Sequence, residues 1–500
     1  MTEIALALAA HTNAGKTTLA RTLLGRDVGE VRDAPHVTTE ASAYPMLSTP
    51  DGDSLVLWDT PGFGDSARLA HRLAQHGNPI GWFLAQVWDR FADQPFYLSQ
   101  QAVRAVRDRA DIVLYLVNAA EAPADAGYLA AELDVLAWIG RPTFVLLNQT
   151  GPLRSRAEEE REIEAWRAAI GQRPFVRDVL VLDAFARCWV QEIVLLRHFA
   201  DAIAPGKRPS LARLIDTWWA RQDERLALAM EALAAPIAAA ACDQVPLANP
   251  TLRTQLRDFV RSTLAEPGES DDRRAAAEAL AQRLDAGVRA STDRLIAIHG
   301  LDGKSADAIR EQLAGFVRAE TPLPEGKAAL MGGIVTGAVS GLMADLAAGG
   351  LTFGAGTLVG AIAGALGGAG IARGYNVMRG QKGVVLRWDN ELLDQLVASA
   401  LLRYLAVAHY GRGRGEWRSS AYPPFWQEGV QREMEYRRGA LTALWMRRRE
   451  ADRESLEGEV ARLLAEMTRG LLESLYPGAL PPGAEGPAHR RAEGHGSVKP

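Results

Sequence analysis

Lys16, Thr17 and Asp59 are the residues whose types and spacing could do chemistry. The first two close the stretch Ala10-His11-Thr12-Asn13-Ala14-Gly15-Lys16-Thr17-Thr18. An apolar run, Ile4 to Ala9, leads into it, and a helix-like run, Thr18 to Leu24, leads out. Strand, glycine loop and helix together make a phosphate cradle. The loop turns backbone N–H groups inward, and the helix start adds its positive end. In such a cradle Lys16 reaches the β- and γ-phosphates as a point charge, and the Thr17 hydroxyl ligates magnesium. His11, Thr12, Asn13, Ala14, Gly15 and Thr18 complete the phosphate-binding set. Ala10 stands where such loops start with glycine.

A second signature follows the run Ser54 to Trp58, at Asp59-Thr60-Pro61-Gly62. A carboxylate at a strand end can hold magnesium through water. A glycine three residues on can offer its N–H to the γ-phosphate and couple the next segment to hydrolysis. Between the signatures, Asp33 to Ala43 holds Val37-Thr38-Thr39-Glu40. A switch segment there offers a threonine to magnesium and the γ-phosphate, with Thr39 the first choice and Thr38 the second; an ordinary polar loop is the alternative. The catalytic set is therefore Lys16, Thr39 and Gly62, and the magnesium set is Thr17, Thr39 and Asp59.

Residues 1–204 must position these groups, and their pattern suits the task. Strands are expected at Ile4–Ala9, Ser54–Trp58, Ile112–Val117, Thr143–Leu147 and Val179–Leu182, with helical spacing over Tyr128–Ile139 and Arg154–Ile170. Alternation of this kind predicts an α/β domain, Rossmann-like, with a mostly parallel sheet covered on both faces.

These motifs resemble the Era/TrmE-like GTPases of the translation-factor-related class of P-loop NTPases, over residues 1–204. The resemblance implies GTP and magnesium. It also implies that Phe63 stands where Ras-type enzymes keep a water-positioning glutamine, and that Asn13 matches an asparagine that holds potassium in cation-activated relatives. A plain loop-shaping role is the alternative for Asn13. In the base-recognition element, Asn148 matches the family's Asn-Lys-x-Asp. Gln149 replaces the lysine, and Gly151 replaces the aspartate that reads guanine. Asp183-Ala184-Phe185 sits where relatives have Ser-Ala-Lys, so the Ala184 N–H is the candidate contact to the guanine oxygen. GTP is favoured, with ATP or relaxed use as the alternative.

Composition bounds the rest. The chain has 500 residues, 48% hydrophobic and 23% charged, with a net charge of −5. That suits a large buried core and gives no pull toward nucleic acid, which is not expected as a partner. Cys188 and Cys242 have no metal or redox spacing and fit a reducing compartment. No basic region precedes the first apolar run, so the chain is expected to start in the cytosol. Trp82, Phe83, Trp88, Phe91, Phe96 and Tyr97 lie in an insertion between Asp59 and Ala110. They form either a docking surface for a partner or second copy, or a helix packed on its own domain.

Beyond Pro205 no strand pattern is evident, and residues 205–326 and 374–476 are expected to be helical domains, with 477–500 disordered. Leu211–Trp218, Thr251–Leu264, Asp271–Ile298, Ser305–Ala319, Leu386–His409 and Glu454–Leu475 carry helical spacing. Between them, 327–373 holds an apolar stretch, Ala328 to Ala372, with glycine at every fourth residue: Gly333, Gly337, Gly341, then Gly356, Gly360, Gly364 and Gly368. Bare backbone on one face lets two helices approach closely, so a Gly/Ala-rich hairpin is expected, each arm long enough to cross a bilayer. Lys327, Arg373, Arg379 and Lys382 flank it, which places both ends on the cytosolic side. Asp345 and the weak hydropathy of Ala and Gly argue for the alternative, a hairpin stored inside a soluble bundle.

The order of the second half resembles bacterial proteins in which an Era-like domain is fused to a conserved C-terminal domain of unknown function. The hairpin and the run Leu401 to Gly415 carry that likeness. The reading is a membrane-associated GTPase switch, either on the cytoplasmic side of the inner membrane or cytoplasmic with conditional membrane association. A nucleotide-gated, pore-like membrane protein with a stored hairpin is the alternative.

Overall fold

The apolar run at the amino terminus becomes the central strand of the first sheet. In this computed structural model the described residues are 1–12, 14–26, 28, 41–64, 66–85, 94–151, 153–184, 188–247, 271–301, 309–310, 375–380, 383–410 and 422–481. The strands of the first sheet are β1 (Glu3–Ala10), β2 (Ser42–Ser48), β3 (Ser54–Asp59), β4 (Ile112–Asn118), β5 (Thr143–Asn148) and β6 (Val176–Val181). They lie in the order β2-β3-β1-β4-β5-β6. All neighbours run parallel except β2, which pairs antiparallel with β3 and shifts register between Pro45 and Leu47. Seven of the eight residues of β1 are buried, as are all of β5. Continuous burial is what a sheet covered on both faces demands.

The covering helices are α1 (Lys16–Leu24), α2 (Ser66–Leu73), α3 (Pro79–Ala85), α4 (Gln94–Arg109), α5 (Leu129–Ile139), α6 (Arg156–Ile170) and α7 (Trp189–Ala202). Helix α1 stops at Gly25, whose φ of 64° gives the left-handed cap that glycine adopts without penalty. Helix α6 opens with a capping box, Ser155 to Glu158. Helices α2 to α4 carry the aromatic insertion. Phe83 and Phe96 are buried in the domain's own core, and Trp82 packs against that core. The insertion therefore serves its own domain at these positions; Trp88 and Phe91 lie outside the described residues.

The chain divides into two units. One is Met1–Glu224 with Ala408–Trp417 and Leu475–Ala479; the other is Arg225–Val407, Arg418–Ser474 and Leu480–Pro500. Helix α8 (Arg208–Cys242) begins in the first and ends in the second. Its start is tied to the strand ends away from the phosphate loop. Lys207 donates to both carboxylate oxygens of Asp111 at 2.7 Å and to the Glu3 carbonyl at 2.8 Å. Arg213 donates twice to Asp53 Oδ2, at 2.8 and 2.6 Å. That guanidinium holds the Asp53 carboxyl below its ordinary value.

The second unit contains α9 (Asp271–Ile298), α10 (Asn390–Ala408), α11 (Pro424–Tyr436), α12 (Arg438–Arg447) and α13 (Arg453–Leu475). It is mainly helical, as expected beyond Pro205, and it also contains three strands that the sequence did not single out. β7 (Val245–Leu247), β8 (Tyr375–Gly380) and β9 (Gly383–Trp388) form an antiparallel sheet in the order β7-β9-β8. Leu386 to Trp388, expected to open a helix, belong to β9, and α10 starts only after Asp389. The Asp389 carboxylate accepts from the Leu392 N–H at 2.8 Å and so caps that helix. Among the described residues one helix, Pro205–Cys242, is long and apolar enough to cross a bilayer, and 61% of its most apolar window is buried. The stretches 328–372 and 482–500, and the helices expected over Thr251–Leu264 and most of Ser305–Ala319, lie outside the described residues.

Candidate nucleotide site

The phosphate loop grows directly from the carboxyl end of β1, and its shape depends on glycine at one point. Gly15 sits at φ 85°, and a Cβ built there would lie 2.7 Å from Asn148 Nδ2 and 3.3 Å from Gln149 Nε2. A larger residue would face both a strained backbone and a clash. The loop closes through Ala14 N–H donating to the His11 carbonyl at 3.3 Å, after which α1 begins at Lys16.

The Asp59 segment folds back onto this loop. Phe63 N–H donates to the Ala10 carbonyl at 3.0 Å, and Thr12 Oγ1 donates to the Phe63 carbonyl at 2.9 Å. The two segments thus pair as an isolated parallel bridge, His11 with Phe63. This brings Gly62 beside the lysine: a Cβ on Gly62 would lie 3.0 Å from both Lys16 Nζ and Thr12 Cα. A side chain there would require the Thr12 backbone to give by a few tenths of an ångström. Phe63 itself is buried in the core, and its apolar ring has no group with which to direct a water.

Lys16, Thr17 and Asp59 come together. Thr17 Oγ1 donates to Asp59 Oδ2 at 2.7 Å. Asp59 is 2% exposed, and its other oxygen, Oδ1, has no partner among the described residues. Burial pushes the Asp59 carboxyl above its ordinary value, against the Thr17 hydrogen bond and the charges of Lys16 and Arg21. Lys16 is also buried and donates to the His11 carbonyl at 3.3 Å. Burial pushes its ammonium down, while Asp59 and Glu132 push it back up. A buried, orphaned carboxylate oxygen next to a threonine hydroxyl at a helix start is a hard-oxygen donor set, and it fits magnesium.

The base-side elements meet the loop through Asn148, which is fully buried. Its Nδ2 donates to the Ala14 carbonyl at 2.9 Å, and its Oδ1 accepts from the Ala184 N–H at 2.8 Å. The Ala184 N–H, a candidate contact to the base, is directed at Asn148 in this structure. Thr22 Oγ1 donates to the Ala184 carbonyl at 2.9 Å and ties α1 to the same corner. Gln149 takes φ 61°, rare for a residue with a side chain, and places its amide beside Gly15. Gly151, at φ 81°, has open space where a side chain would project. Thr18 lies in the first turn of α1. Asn13, Thr38, Thr39 and Phe185 lie outside the described residues.

Two features of the site escape sequence reasoning. Glu132, on α5, is completely buried, with Oε1 2.7 Å from His11 Nδ1 and Oε2 accepting from Tyr115 Oη at 2.8 Å. Tyr128 stacks on the His11 ring at 4.5 Å. The His11 side chain is thus held by α5, and its carbonyl faces Lys16. Asp183 is the second: its Oδ2 accepts from Thr150 N–H at 2.6 Å and Thr150 Oγ1 at 2.8 Å, joining the loops after β5 and β6. An acid on an otherwise ordinary helix or loop gives no signal of burial in its spacing.

Residues 5–149 match the family described as 50S ribosome-binding GTPase. Similar solved structures include a point variant of Aquifex aeolicus Era bound to GDP and aluminium fluoride, at 16% identity and TM-score 0.29, covering 41% of this chain and 58% of that one. Era in complex with MgGDPNP and a 16S ribosomal RNA segment gives 16% identity and TM-score 0.30 over the same shares, 41% and 58%. The bacterial selenocysteine-specific elongation factor EF-Sec gives 17% identity and TM-score 0.25, covering 37% of this chain and 26% of that one. The chain thus spans little more than half the length of the Era chains it matches. No curated protein matches it in sequence. The amino-terminal α/β unit is a P-loop GTPase domain. Residues 167–475, more than half of the chain, match a second family, and on that match the protein belongs to the family described as domain of unknown function (DUF3482).

Proposed function

We propose that this protein binds GTP with magnesium, hydrolyses it slowly, and uses the change to move residues 205–476. One observation carries the reading: Asp59 accepts from Thr17 through one oxygen at 2.7 Å and keeps the other buried with no partner among the described residues. Lys16 and the loop amides grip the β- and γ-phosphates. Thr17 and Asp59, with Thr39 from the switch segment, would hold magnesium, which would supply positive charge beside the phosphates. Gly62 N–H reports the γ-phosphate, because its backbone already lies against Lys16 and Thr12. Attack by water then lacks a directing side chain at Phe63, so turnover is slow unless a cation helps. Asn13 is the residue proposed to hold potassium there.

Phosphate release from GTP by the full chain, in potassium against sodium, tests this reading. Turnover that rises in potassium and vanishes in Lys16→Ala supports it. No release in either salt, with no GTP uptake by calorimetry, overturns it. A second reading, relaxed base use, is favoured by Gly151, which supplies no carboxylate to guanine.

The output is proposed to act at the cytoplasmic face of the inner membrane, through 328–372. The support is the glycine spacing and flanking cations of that stretch. Cell fractionation with and without nucleotide tests it: recovery in the soluble fraction under both conditions sinks the membrane role. A second copy or a protein docking on the switch remains the proposed source of further stimulation.

A further inference from the structure

The second unit contains a cavity of about 560 Å³ between the end of α8, the middle of α9, Trp388 and the start of α13. That volume lies within the roughly 300–1,000 Å³ typical of small-molecule sites. Its origin is legible in the side chains. Ala232, Ala235 and Ala239 share one face of α8, and Gly287, Ala290 and Arg294 share one face of α9. Methyl groups and a hydrogen stand where a packed interior would carry Leu or Phe. The two helices come close where a Cβ on Gly287 would lie 3.3 Å from Pro236 Cβ.

Small residues alone would be only a gap. Two polar groups point to an occupant. Ser291 lines the cavity, is 5% exposed, and its hydroxyl has no partner among the described residues. Pro236, inside α8, has no N–H to give to the carbonyl four residues back, that of Ala232, which also lines the cavity. Charge adds the rest. Arg283, Arg294 and Arg453 line the cavity with one acid, Asp243. Asp243 grips Arg283 through both oxygens, at 2.8 and 2.9 Å. Arg294 and Arg453 are exposed and stand at opposite ends of the cavity: Arg283 pairs with Asp243 and Gly287 meets Pro236, so Arg294 lies toward Ala232, while Arg453 lies beside Cys242.

We propose that this cavity binds a single-chain anionic amphiphile, its apolar body along Ala290, Ala235 and Ala239 and its phosphate or carboxylate head at Arg294, one helical turn from Ser291. An apolar wall with a few converging polar groups is the arrangement such ligands need. Guanidinium groups match oxyanions through their forked donors. The Ser291 hydroxyl supplies a further hydrogen bond.

The test is calorimetric titration of the full chain with monomeric dodecyl phosphate, with inorganic phosphate and dodecanol as controls. The expected result is saturable binding of one dodecyl phosphate per chain. Arg294→Ala should weaken it at least about tenfold and leave dodecanol unchanged. Ala239→Leu should abolish it by filling the cavity. The exposed Arg294 keeps the test decisive if Ala239→Leu does not fold. A second arm uses phosphatidate vesicles, which carry the same head in a bilayer. Arginine-dependent capture on vesicles identifies a lipid head group as the source, and binding of the monomer alone identifies a free amphiphile. No saturable binding in either arm, or equal binding by the arginine variant, overturns the proposal.

Discussion

The Asn148 side-chain amide donates to the Ala14 carbonyl at 2.9 Å, across 134 residues of chain, and so fastens the base loop to the phosphate loop. Its oxygen accepts from Ala184 at 2.8 Å, so one buried amide serves three segments. Asn148→Ala would leave a buried carbonyl and a buried N–H without partners. Each orphan costs about 1–3 kcal/mol, so a loss of about 3 kcal/mol in stability is expected. GTP affinity should fall with it, by about tenfold or more. Thermal unfolding and GTP titration on the same preparation check both; an unchanged melting temperature would deny the clasp its role.

Gly151 tests base choice. Its φ of 81° belongs to the left-handed region, which aspartate tolerates better than most residues, and no atom lies near a Cβ built there. Gly151→Asp should therefore be accommodated at a cost of about 1 kcal/mol in stability. It should raise the preference for GTP over ATP at least about tenfold. Competition between the two nucleotides is the measurement. An unchanged ratio would mean that the carboxylate does not reach the base edge from this position.

The parts of this fold that were legible in the sequence were those whose chemistry is local. A strand, a glycine loop and a helix sit within residues 3–24, and Asp59 stands at the end of an apolar run. Helix α9 follows the expected Asp271–Ile298 span because its apolar residues recur at helical spacing. The three-stranded sheet was not legible, since β7 has only three residues, one of them Pro246, and its partners lie over a hundred residues away. Strand β2 hid for a related reason: Pro45 falls inside it, at an edge, next to a register shift. Glu132 was silent because burial of an acid depends on Tyr115 and His11 arriving from elsewhere.

That same Glu132 supports a prediction about pH. Burial lowers the Lys16 ammonium, and the charges of Asp59 and Glu132 oppose the shift. Lys16 grips phosphate only while protonated, so GTP affinity should fall as pH rises through its depressed value. Glu132→Gln keeps an acceptor for His11 and a partner for Tyr115 but removes one supporting charge. The fall in affinity should then begin at lower pH than in the parent. GTP titration from pH 7 to pH 9.5 checks this, and superimposable profiles would rule out an electrostatic role for Glu132.

Glu159, on α6, makes the opposite kind of statement about stability. Burial first, and then the neighbouring Glu162, push its carboxyl up from 4.5 to about 7, against the pull of Arg154. Its folded value exceeds its unfolded one, so the native state holds the proton more tightly. Stability contributed by the neutral acid is present below about pH 4.5 and is lost as pH rises toward 7. Glu159→Gln stays neutral throughout, so it should match the parent near pH 4 and exceed it at pH 8. Partial exposure screens the effect, and a gain of about 1 kcal/mol at pH 8 is a reasonable scale. Thermal unfolding of the full chain at pH 4 and pH 8 measures the difference. A gain equal at both values would place its cause in side-chain packing and leave no role for ionisation, because only a proton equilibrium makes the benefit grow with pH.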